Sequence, residues 1–231
     1  MPRLLGVLGG MGPLATVDFL QKLIEATPAE IDQDHVPVIV YSVPQILPRV
    51  PAISGAGPSP LPGMIKGLTT LRAAGAEAIA IACNTAHFWY EPMREAAGIP
   101  IIHIVDACRD EVPRGGAPVG LLGTEATLAA RIYQDRLAAH SVQFLLNELD
   151  ERARWVVPAI AAVKQGRLVE AGQLVERAVA RLVECGVERA ILACTELPPA
   201  LAAISSPYLA YTIDPTRALA RAAAVWSLSG E

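Results

Sequence analysis

The sequence predicts an α/β fold with two similar, doubly wound domains, each built on a mostly parallel sheet. Short apolar runs alternate with helical patterns along the chain, which is typical of parallel strands joined by helices. Two of these runs end alike, since one leads into Cys83-Asn84-Thr85 and the other into Cys194-Thr195-Glu196. The pattern also restarts halfway along the chain, which indicates an internal repeat.

A shift of 114 residues describes this repeat. It aligns Gly6 with Gly120 and carries Cys83 to within three residues of Cys194. Each cysteine then follows a buried strand, at the sheet edge where open α/β proteins bind ligands. We therefore expect two domains related by pseudo-two-fold symmetry, with the active site in the cleft between them and one thiol on each side.

In the first half, the sequence predicts four strands, and the first three lead into polar or glycine-rich segments. A strand over Arg3–Leu8 ends in the loop Gly9-Gly10-Met11-Gly12, and a helix follows over Leu14–Ala26. Positive φ and close backbone approach explain glycine in such a tight turn. The other elements expected here are a strand over 36–41, a Pro-, Gly- and Ser-rich loop over 42–62, a helix over 61–74, the strand before Cys83, a short helix over 91–97 and a strand over 99–105.

The second half repeats this order. A strand at Val119–Thr124 opens it, helices are expected over 160–164 and 168–185, and the strand before Cys194 follows. A terminal helix over Thr216–Trp226 is expected to return to the first half. Because proline and glycine cluster after residue 107, we predict an N-terminal domain of residues 1–107 plus 214–231 and a C-terminal domain of residues 108–213.

Composition narrows the functional class. Of the 231 residues, 52% are hydrophobic and 18% charged, which is enough apolar material for a sizeable core. The net charge is −4 and no long basic run occurs, so nucleic acid and anionic membranes are not expected as partners. Four cysteines do not make a dense disulfide framework, and no signal peptide or membrane-spanning run is apparent. A reduced, cytoplasmic location is therefore expected.

The two thiols admit several interpretations. A buried cysteine is often only a small hydrophobic residue, and we expect that role for Cys108 and Cys185. Cys83 and Cys194 differ because polar residues follow each of them, and helix N-termini at those points would lower a thiol pKa. Zinc is disfavoured because His87 is the only nearby histidine, and a redox pair is disfavoured because no C-x-x-C motif occurs.

Three other groups of residues have more than one interpretation. The glycine loop after the first strand lacks the G-x-G-x-x-G spacing of a dinucleotide site, so a tight turn is the better interpretation. His35 and His87 are as well suited to structural hydrogen bonding as to catalysis. Arg49 and Lys164 are, from the residues alone, ordinary solvated charges.

Four segments together resemble the aspartate/glutamate racemase family, and its aspartate racemase branch most closely. These segments are Gly6-Val7-Leu8-Gly9-Gly10-Met11-Gly12-Pro13-Leu14-Ala15-Thr16, Asp32-Gln33-Asp34-His35-Val36-Pro37, Cys83-Asn84-Thr85-Ala86-His87 and Cys194-Thr195-Glu196-Leu197-Pro198. The resemblance covers nearly the whole chain. It implies two facing α/β domains, a catalytic cysteine from each, no pyridoxal phosphate, no metal and a homodimer.

The resemblance also implies roles for individual residues. Cys83 and Cys194 match the catalytic pair. Arg49 matches an arginine that holds the substrate side-chain carboxylate, and Lys164 matches its partnering lysine. The residues that match positions receiving the α-carboxylate and amino groups are Asn84, Thr85 and Thr195, and Met11 of the glycine loop is included among the substrate contacts.

The implied activity is racemisation of L- and D-aspartate or glutamate by two-base proton transfer, without a cofactor and with a small amino acid as the partner. One thiol removes the Cα proton and the other returns a proton from the opposite face. Three alternatives remain, namely a racemase of broader amino-acid range, a non-catalytic dicarboxylate-binding protein of the same fold and a one-thiol enzyme such as a malonate-type decarboxylase. The presence of both cysteines favours the racemase.

Overall fold

The structure is a computed structural model that describes residues 2–113 and 116–230. Met1 and Glu231, the outer ends of the predicted N-terminal domain, lie outside the described residues. Contacts within the chain divide it into two compact units. Unit 1 comprises Met1–Ala107 with Thr216–Glu231, and unit 2 comprises Cys108–Pro215.

The described residues form eight strands and twelve α-helices. The strands are β1 Leu5–Gly9, β2 Val38–Ser42, β3 Ala78–Ile81, β4 Ile101–Ile102, β5 Val119–Gly123, β6 Phe144–Leu146, β7 Ala190–Ala193 and β8 Thr212–Ile213. The helices are α1 Pro13–Ala26, α2 Arg49–Ile53, α3 Leu61–Ala73, α4 Tyr90–Ala97, α5 Ile104–Arg109, α6 Glu125–Ala129, α7 Gln134–Ala139, α8 Leu149–Glu151, α9 Val157–Lys164, α10 Leu168–Glu184, α11 Leu197–Ala203 and α12 Pro215–Leu228. Shorter 3₁₀ segments also occur, and a π-helical turn, Arg152–Val156, precedes α9.

Each unit contains a four-stranded, wholly parallel sheet. The strand order is β2-β1-β3-β4 in unit 1 and β6-β5-β7-β8 in unit 2. The prediction of an α/β fold with two similar parallel sheets is confirmed. In both sheets the chain moves to one side of the first strand and then to the other, so a topological switch point lies between β1 and β3 and between β5 and β7.

The strand register makes the internal repeat explicit. Leu8 pairs with Ile81, and the equivalent Leu122 pairs with Leu192. Cys83 and Cys194 each lie two residues beyond those partners, so the two thiols occupy equivalent positions. The shift is 114 residues for the first strands and 111 for the third strands, because the segment that joins them is three residues shorter in unit 2.

Packing around the first strands repeats as well. A Cβ added at Gly6 would meet Ala76 Cβ at 2.9 Å, and one added at Gly120 would meet Leu182 Cδ1 at 2.9 Å and Ala190 Cβ at 3.0 Å. The central strands β1, β3, β5 and β7 are buried along their whole length, as expected for parallel strands covered on both faces. Phe19 and Tyr133, aligned by the repeat, are both fully buried.

Two predicted elements differ from the structure. The strand expected over 99–105 contains only Ile101–Ile102, because the chain turns into α5 at Ile104. Buried imidazoles accept the backbone N–H groups of Ile104 and Val105 there, and those N–H groups are then unavailable to a sheet. The long loop expected over 42–62 contains the short helix α2, which includes Pro51 in its first turn, where proline is tolerated.

Sequence patterns also left parts of the second half unassigned, including β6 and the short helices α6, α7 and α11. These elements are three to seven residues long and carry little periodicity. Among the described residues, no helix is both long and apolar enough to cross a membrane.

Candidate active site

The candidate residues of unit 1 lie in segments that follow the carboxyl ends of its strands. The glycine loop follows β1, Arg49 begins the helix that comes after β2, and Cys83 follows β3. Parallel strands end at the same sheet edge, and β1 and β3 flank the switch point. Ligands of open α/β sheets bind at that place.

The glycine loop is a tight turn that contacts both helix α1 and the segment after β2. Gly10 has a φ of +88°, and a Cβ there would lie 2.4 Å from the backbone nitrogen of Val43. The Gly10 N–H donates to Thr16 Oγ1 at 2.9 Å, and that hydroxyl donates to the Gly12 carbonyl at 3.1 Å. Met11, the loop residue predicted as a substrate contact, is buried.

Arg49, which follows the neighbouring strand β2, contacts this loop. Its Nη2 donates to the Met11 carbonyl at 2.9 Å, and its Nη1 lies 3.2 Å from the Leu47 carbonyl and 3.5 Å from that of Ile46. The structure therefore brings the predicted residues Arg49 and Met11 into contact. A guanidinium has five N–H groups, and these three contacts leave two of them without an acceptor among the described residues.

Cys83 is buried and held by its backbone. Its N–H donates to the Ile81 carbonyl at 2.8 Å, and its own carbonyl lies 2.9 Å from Nδ1 of His87. The Nε2 atom of His87 accepts the Ile104 N–H at 3.3 Å, so the proton of a neutral ring sits on Nδ1 and is donated to Cys83. Of the two roles left open for His87, the contacts support structural hydrogen bonding.

The polar residues after Cys83 enter a 3₁₀ turn at once. Asn84 is buried and Thr85, which begins the turn Thr85–Trp89, is half-buried. Helix α2, which begins at Arg49, contacts this turn. Unit 1 therefore assembles Arg49, Met11 and the Cys83-Asn84-Thr85 segment around one sheet edge.

In unit 2, Cys194 precedes α11. Pro198 lies in the first turn of that helix, where its missing N–H costs nothing, and it helps to set the helix start. The Cys194 thiol is buried and donates to Oε2 of Glu196 at 2.9 Å. The Thr195 hydroxyl donates to the same oxygen at 3.1 Å.

Lys164 is the second predicted cation, and it ends α9. It is exposed, and none of the ion pairs among residues 2–113 and 116–230 involves it. Its ammonium is close enough to favour the thiolate form of Cys194 electrostatically. Unit 2 therefore groups Cys194, Thr195 and Lys164.

The balance of these effects leaves Cys194 a weak acid. Burial raises the pKa of its thiol well above the ordinary range, and the carboxylate of Glu196 raises it further by charge and by accepting the S–H bond. A backbone hydrogen bond from Glu196 and the charge of Lys164 lower the pKa, but by less. The backbone N–H at the start of the helix therefore lowers the pKa of the Cys194 thiol, as expected, but burial and the adjacent anion outweigh it.

The two other cysteines differ from this pair. Cys108 is fully buried with its sulfur 4.0 Å from the Tyr133 hydroxyl, and burial raises the pKa of both groups. Cys185 is exposed at the end of α10. The carboxylate that follows Cys108 at the same spacing, Asp110, is bonded to Arg109 instead.

Glu196 contacts the Cys194 thiol, although the sequence pattern assigned it no role. An acidic residue two positions after a candidate catalytic thiol is the signal that could have indicated this contact. As for metals, no group of three or more His, Cys, Asp or Glu side chains in the described part of the chain could hold an ion. Activity without a metal or cofactor stays a prediction.

Comparison with known proteins gives a consistent result. Residues 8–223 match the family described as Asp/Glu/Hydantoin racemase. The chain is 30% identical over 207 residues to the broad-specificity amino-acid racemase RacX of Bacillus subtilis (strain 168), covering 88% of this chain and 89% of that protein.

Solved structures are similar along almost the whole chain. An aspartate racemase of Picrophilus torridus has a TM-score of 0.80 and 31% identity, with 96% of this chain and 93% of that chain covered. An aspartate racemase homologue of Pyrococcus horikoshii OT3 has a TM-score of 0.76 and 25% identity, with 96% and 97% covered.

Proposed function

Because this chain belongs to the Asp/Glu/Hydantoin racemase family, we propose that it is a cofactor-independent racemase that interconverts L- and D-aspartate or glutamate. The proposed reaction uses Cys83 and Cys194 as its two acid–base groups. Family membership supports the activity of an amino-acid racemase. The preference for an acidic substrate and the use of two cysteines are proposed here in addition.

The observation that carries the proposal is the equivalence of the two thiols. Each lies two residues beyond the strand position that pairs with Leu8 or Leu122, beside the switch point of its own sheet. Racemisation needs a base on one face of Cα and an acid on the other. Two equivalent groups suit this need, because their roles exchange when the opposite enantiomer reacts.

The thiols alone do not account for the full rate. General acid–base catalysis typically contributes about 10²–10⁴-fold. The developing carbanion also needs electrostatic stabilisation by preorganised donors and exclusion of water. We assign Asn84, Thr85 and Thr195 to the substrate's α-carboxylate and amino groups, because these residues directly follow the two thiols in sequence.

The distal carboxylate of an acidic substrate is assigned to Arg49 and Lys164. Arg49 keeps two N–H donors beyond its carbonyl contacts, and a planar pair of donors suits a carboxylate. Lys164 takes part in no ion pair among the described residues and already acts electrostatically on Cys194. Met11 contributes its carbonyl, which fixes Arg49 against the glycine loop.

A racemase of broader amino-acid range is the second candidate. It is supported by the similarity to the broad-specificity racemase RacX, which is of the same order as the similarity to the Picrophilus torridus aspartate racemase. A non-catalytic dicarboxylate-binding protein would use the two cations but would not need two equivalent thiols.

Solvent exchange tests the proposal directly. Purified protein is incubated in D₂O with L- or D-Asp, Glu, Ala and Ser without added cofactor, and Cα deuterium is measured together with the enantiomer ratio. We expect deuterated product of inverted configuration, and we expect Cys83→Ala or Cys194→Ala to abolish it with an unchanged thermal melt. Cys185→Ala is the matched control, since that thiol is exposed at a helix end. Near wild-type racemisation by either active-site variant would refute the two-thiol reaction, and binding of Asp without any exchange would favour the binding protein.

We further propose that the enzyme is a cytoplasmic homodimer. One face of α1 carries Leu14, Val17 and Ile24, whose exposed fractions are 81%, 61% and 60%. Such an uncharged stripe suits contact with the same stripe of a second copy related by a two-fold axis. Sedimentation of wild type and Val17→Glu tests this: we expect a dimer and a monomer respectively, and a monomeric wild type would contradict it.

A further inference from the structure

Glu196 is bonded in a way that the proposed reaction does not explain. It is the residue that precedes α11, but its side chain does not cap that helix. Its Oε2 atom instead accepts the Cys194 thiol at 2.9 Å and the Thr195 hydroxyl at 3.1 Å. No ion pair among the described residues neutralises it.

The two halves differ at this position. The 111-residue shift that superposes Cys83 on Cys194 also superposes Thr85 on Glu196. A neutral hydroxyl residue therefore stands in one motif where a carboxylate stands in the other. The repeat is symmetric in its thiols and asymmetric in the charge that follows them.

Resting on the proposed two-thiol reaction, we propose that Glu196 makes the thiols unequal by holding the shared proton on Cys194, which leaves Cys83 as the resting thiolate. A thiolate on Cys194 would lie beside an anion and lose the S–H bond to it. Glu196 thus acts through Cys194 as a positioning residue.

The proton balance follows from this arrangement. When the enantiomer that presents its Cα–H to Cys83 reacts, that C–H bond breaks and an S–H bond forms on Cys83. The S–H bond of Cys194 breaks and a new C–H bond forms on the opposite face. Cys194 is left as a thiolate beside Glu196, and the resting form returns when Cys83 loses a proton to water and Cys194 gains one from water.

The consequence is an asymmetry in kinetic constants. Two enantiomers have equal free energies in water, so kcat/KM must be the same in both directions, whatever the enzyme does. The enantiomer that Cys194 deprotonates can react only with the enzyme form in which Cys194 is the thiolate. Because this form is rare, the apparent KM of that enantiomer is raised by the ratio of the resting form to the rare form. Its kcat is then raised by the same factor. We expect this factor to be about 10 to 100, because the ratio of the two enzyme forms is set by one hydrogen bond to a charged group.

The experiment measures kcat and KM in both directions by circular dichroism, for wild type, Glu196→Gln and Glu196→Asp. In wild type we expect KM and kcat to be larger for one enantiomer than for the other by the same factor, so that kcat/KM is equal for the two. Glu196→Gln keeps the size and an acceptor oxygen but removes the charge, so both ratios should fall about 10- to 100-fold towards one. Glu196→Asp should keep most of the asymmetry, and Glu188→Gln, an exposed carboxylate of unit 2, should leave it unchanged.

A second readout does not depend on turnover. The rate at which iodoacetamide alkylates Cys194, followed by mass spectrometry, should rise in Glu196→Gln at fixed pH. Unchanged KM and kcat ratios in a racemising Glu196→Gln variant, or unchanged alkylation of Cys194, would overturn the inference while leaving the racemase in place. Absence of racemisation by wild type would instead overturn the proposed function.

Discussion

Replacing Arg49 tests how the proposed enzyme recognises its substrate. Arg49→Ala removes a guanidinium that contacts the carbonyls of Met11, Leu47 and Ile46 and keeps two N–H groups for another acceptor. The first set of contacts holds the glycine loop, and its loss should affect every substrate alike. The second set is available to a distal carboxylate, and its loss should affect only acidic substrates.

The expected magnitude follows from this division. A hydrogen bond to a charged group contributes about 1.5–3 kcal/mol, which corresponds to about 10- to 100-fold in kcat/KM. The ratio of kcat/KM for Asp to that for Ala should therefore fall by about this factor in Arg49→Ala. Arg49→Lys should recover only part of the ratio, because a single ammonium cannot hold the loop carbonyl and two carboxylate oxygens in one plane.

The assay measures kcat/KM for Asp, Glu, Ala and Ser in wild type and both variants. Arg94→Ala is the matched control, since Arg94 is a solvent-exposed arginine of unit 1 paired with Glu91. An equal fall for all four substrates would mean that Arg49 acts only by holding the loop. No fall for any substrate would remove Arg49 from the site altogether.

The remaining predictions concern the glycine loop, the expected independence from metal ions and the helix that follows Cys194. Gly10→Ala should lower the free energy of unfolding by about 2 kcal/mol or more, because Gly10 has a φ of +88° and a new Cβ would lie 2.4 Å from the Val43 nitrogen. Gly55→Ala is the control for the backbone conformation alone, since Gly55 has a φ of +74° and no atom near the new Cβ. A denaturation midpoint of Gly10→Ala equal to that of wild type would contradict this prediction. Exhaustive dialysis against EDTA should leave racemisation unchanged, and a loss restored by one metal ion would contradict this. Pro198→Ala should change activity less than twofold, because proline at a helix start mainly restricts the unfolded chain; a large loss of kcat at unchanged stability would assign it a part in positioning Cys194.

Several features of the fold were predictable because they depend on local patterns. Buried parallel strands appear as continuous apolar runs, so β1, β3, β5 and β7 were visible in the sequence. The repeat was visible for the same reason, since the apolar strand that contains Gly6 recurs 114 residues later around Gly120. In the structure, each glycine packs closely against the segment that leads into the third strand of its own unit, Gly6 against Ala76 and Gly120 against Leu182. The strand predicted over 99–105 exists only as the two-residue β4, and the three-residue β6 and the five-residue α2 were not predicted, because elements this short are formed by tertiary hydrogen bonds and not by periodicity.

The candidate site divides in the same way. The sequence by itself determined that Cys83 and Cys194 follow equivalent strands, because similar apolar runs lead into both. Only the tertiary structure decided that Arg49 contacts the Met11 carbonyl from 38 residues away, and that Glu196 turns from its helix towards a thiol. Those facts depend on the directions of side chains after the backbone is packed. They depend also on burial, which raises the pKa of the Cys194 thiol by more than the backbone N–H of Glu196 lowers it.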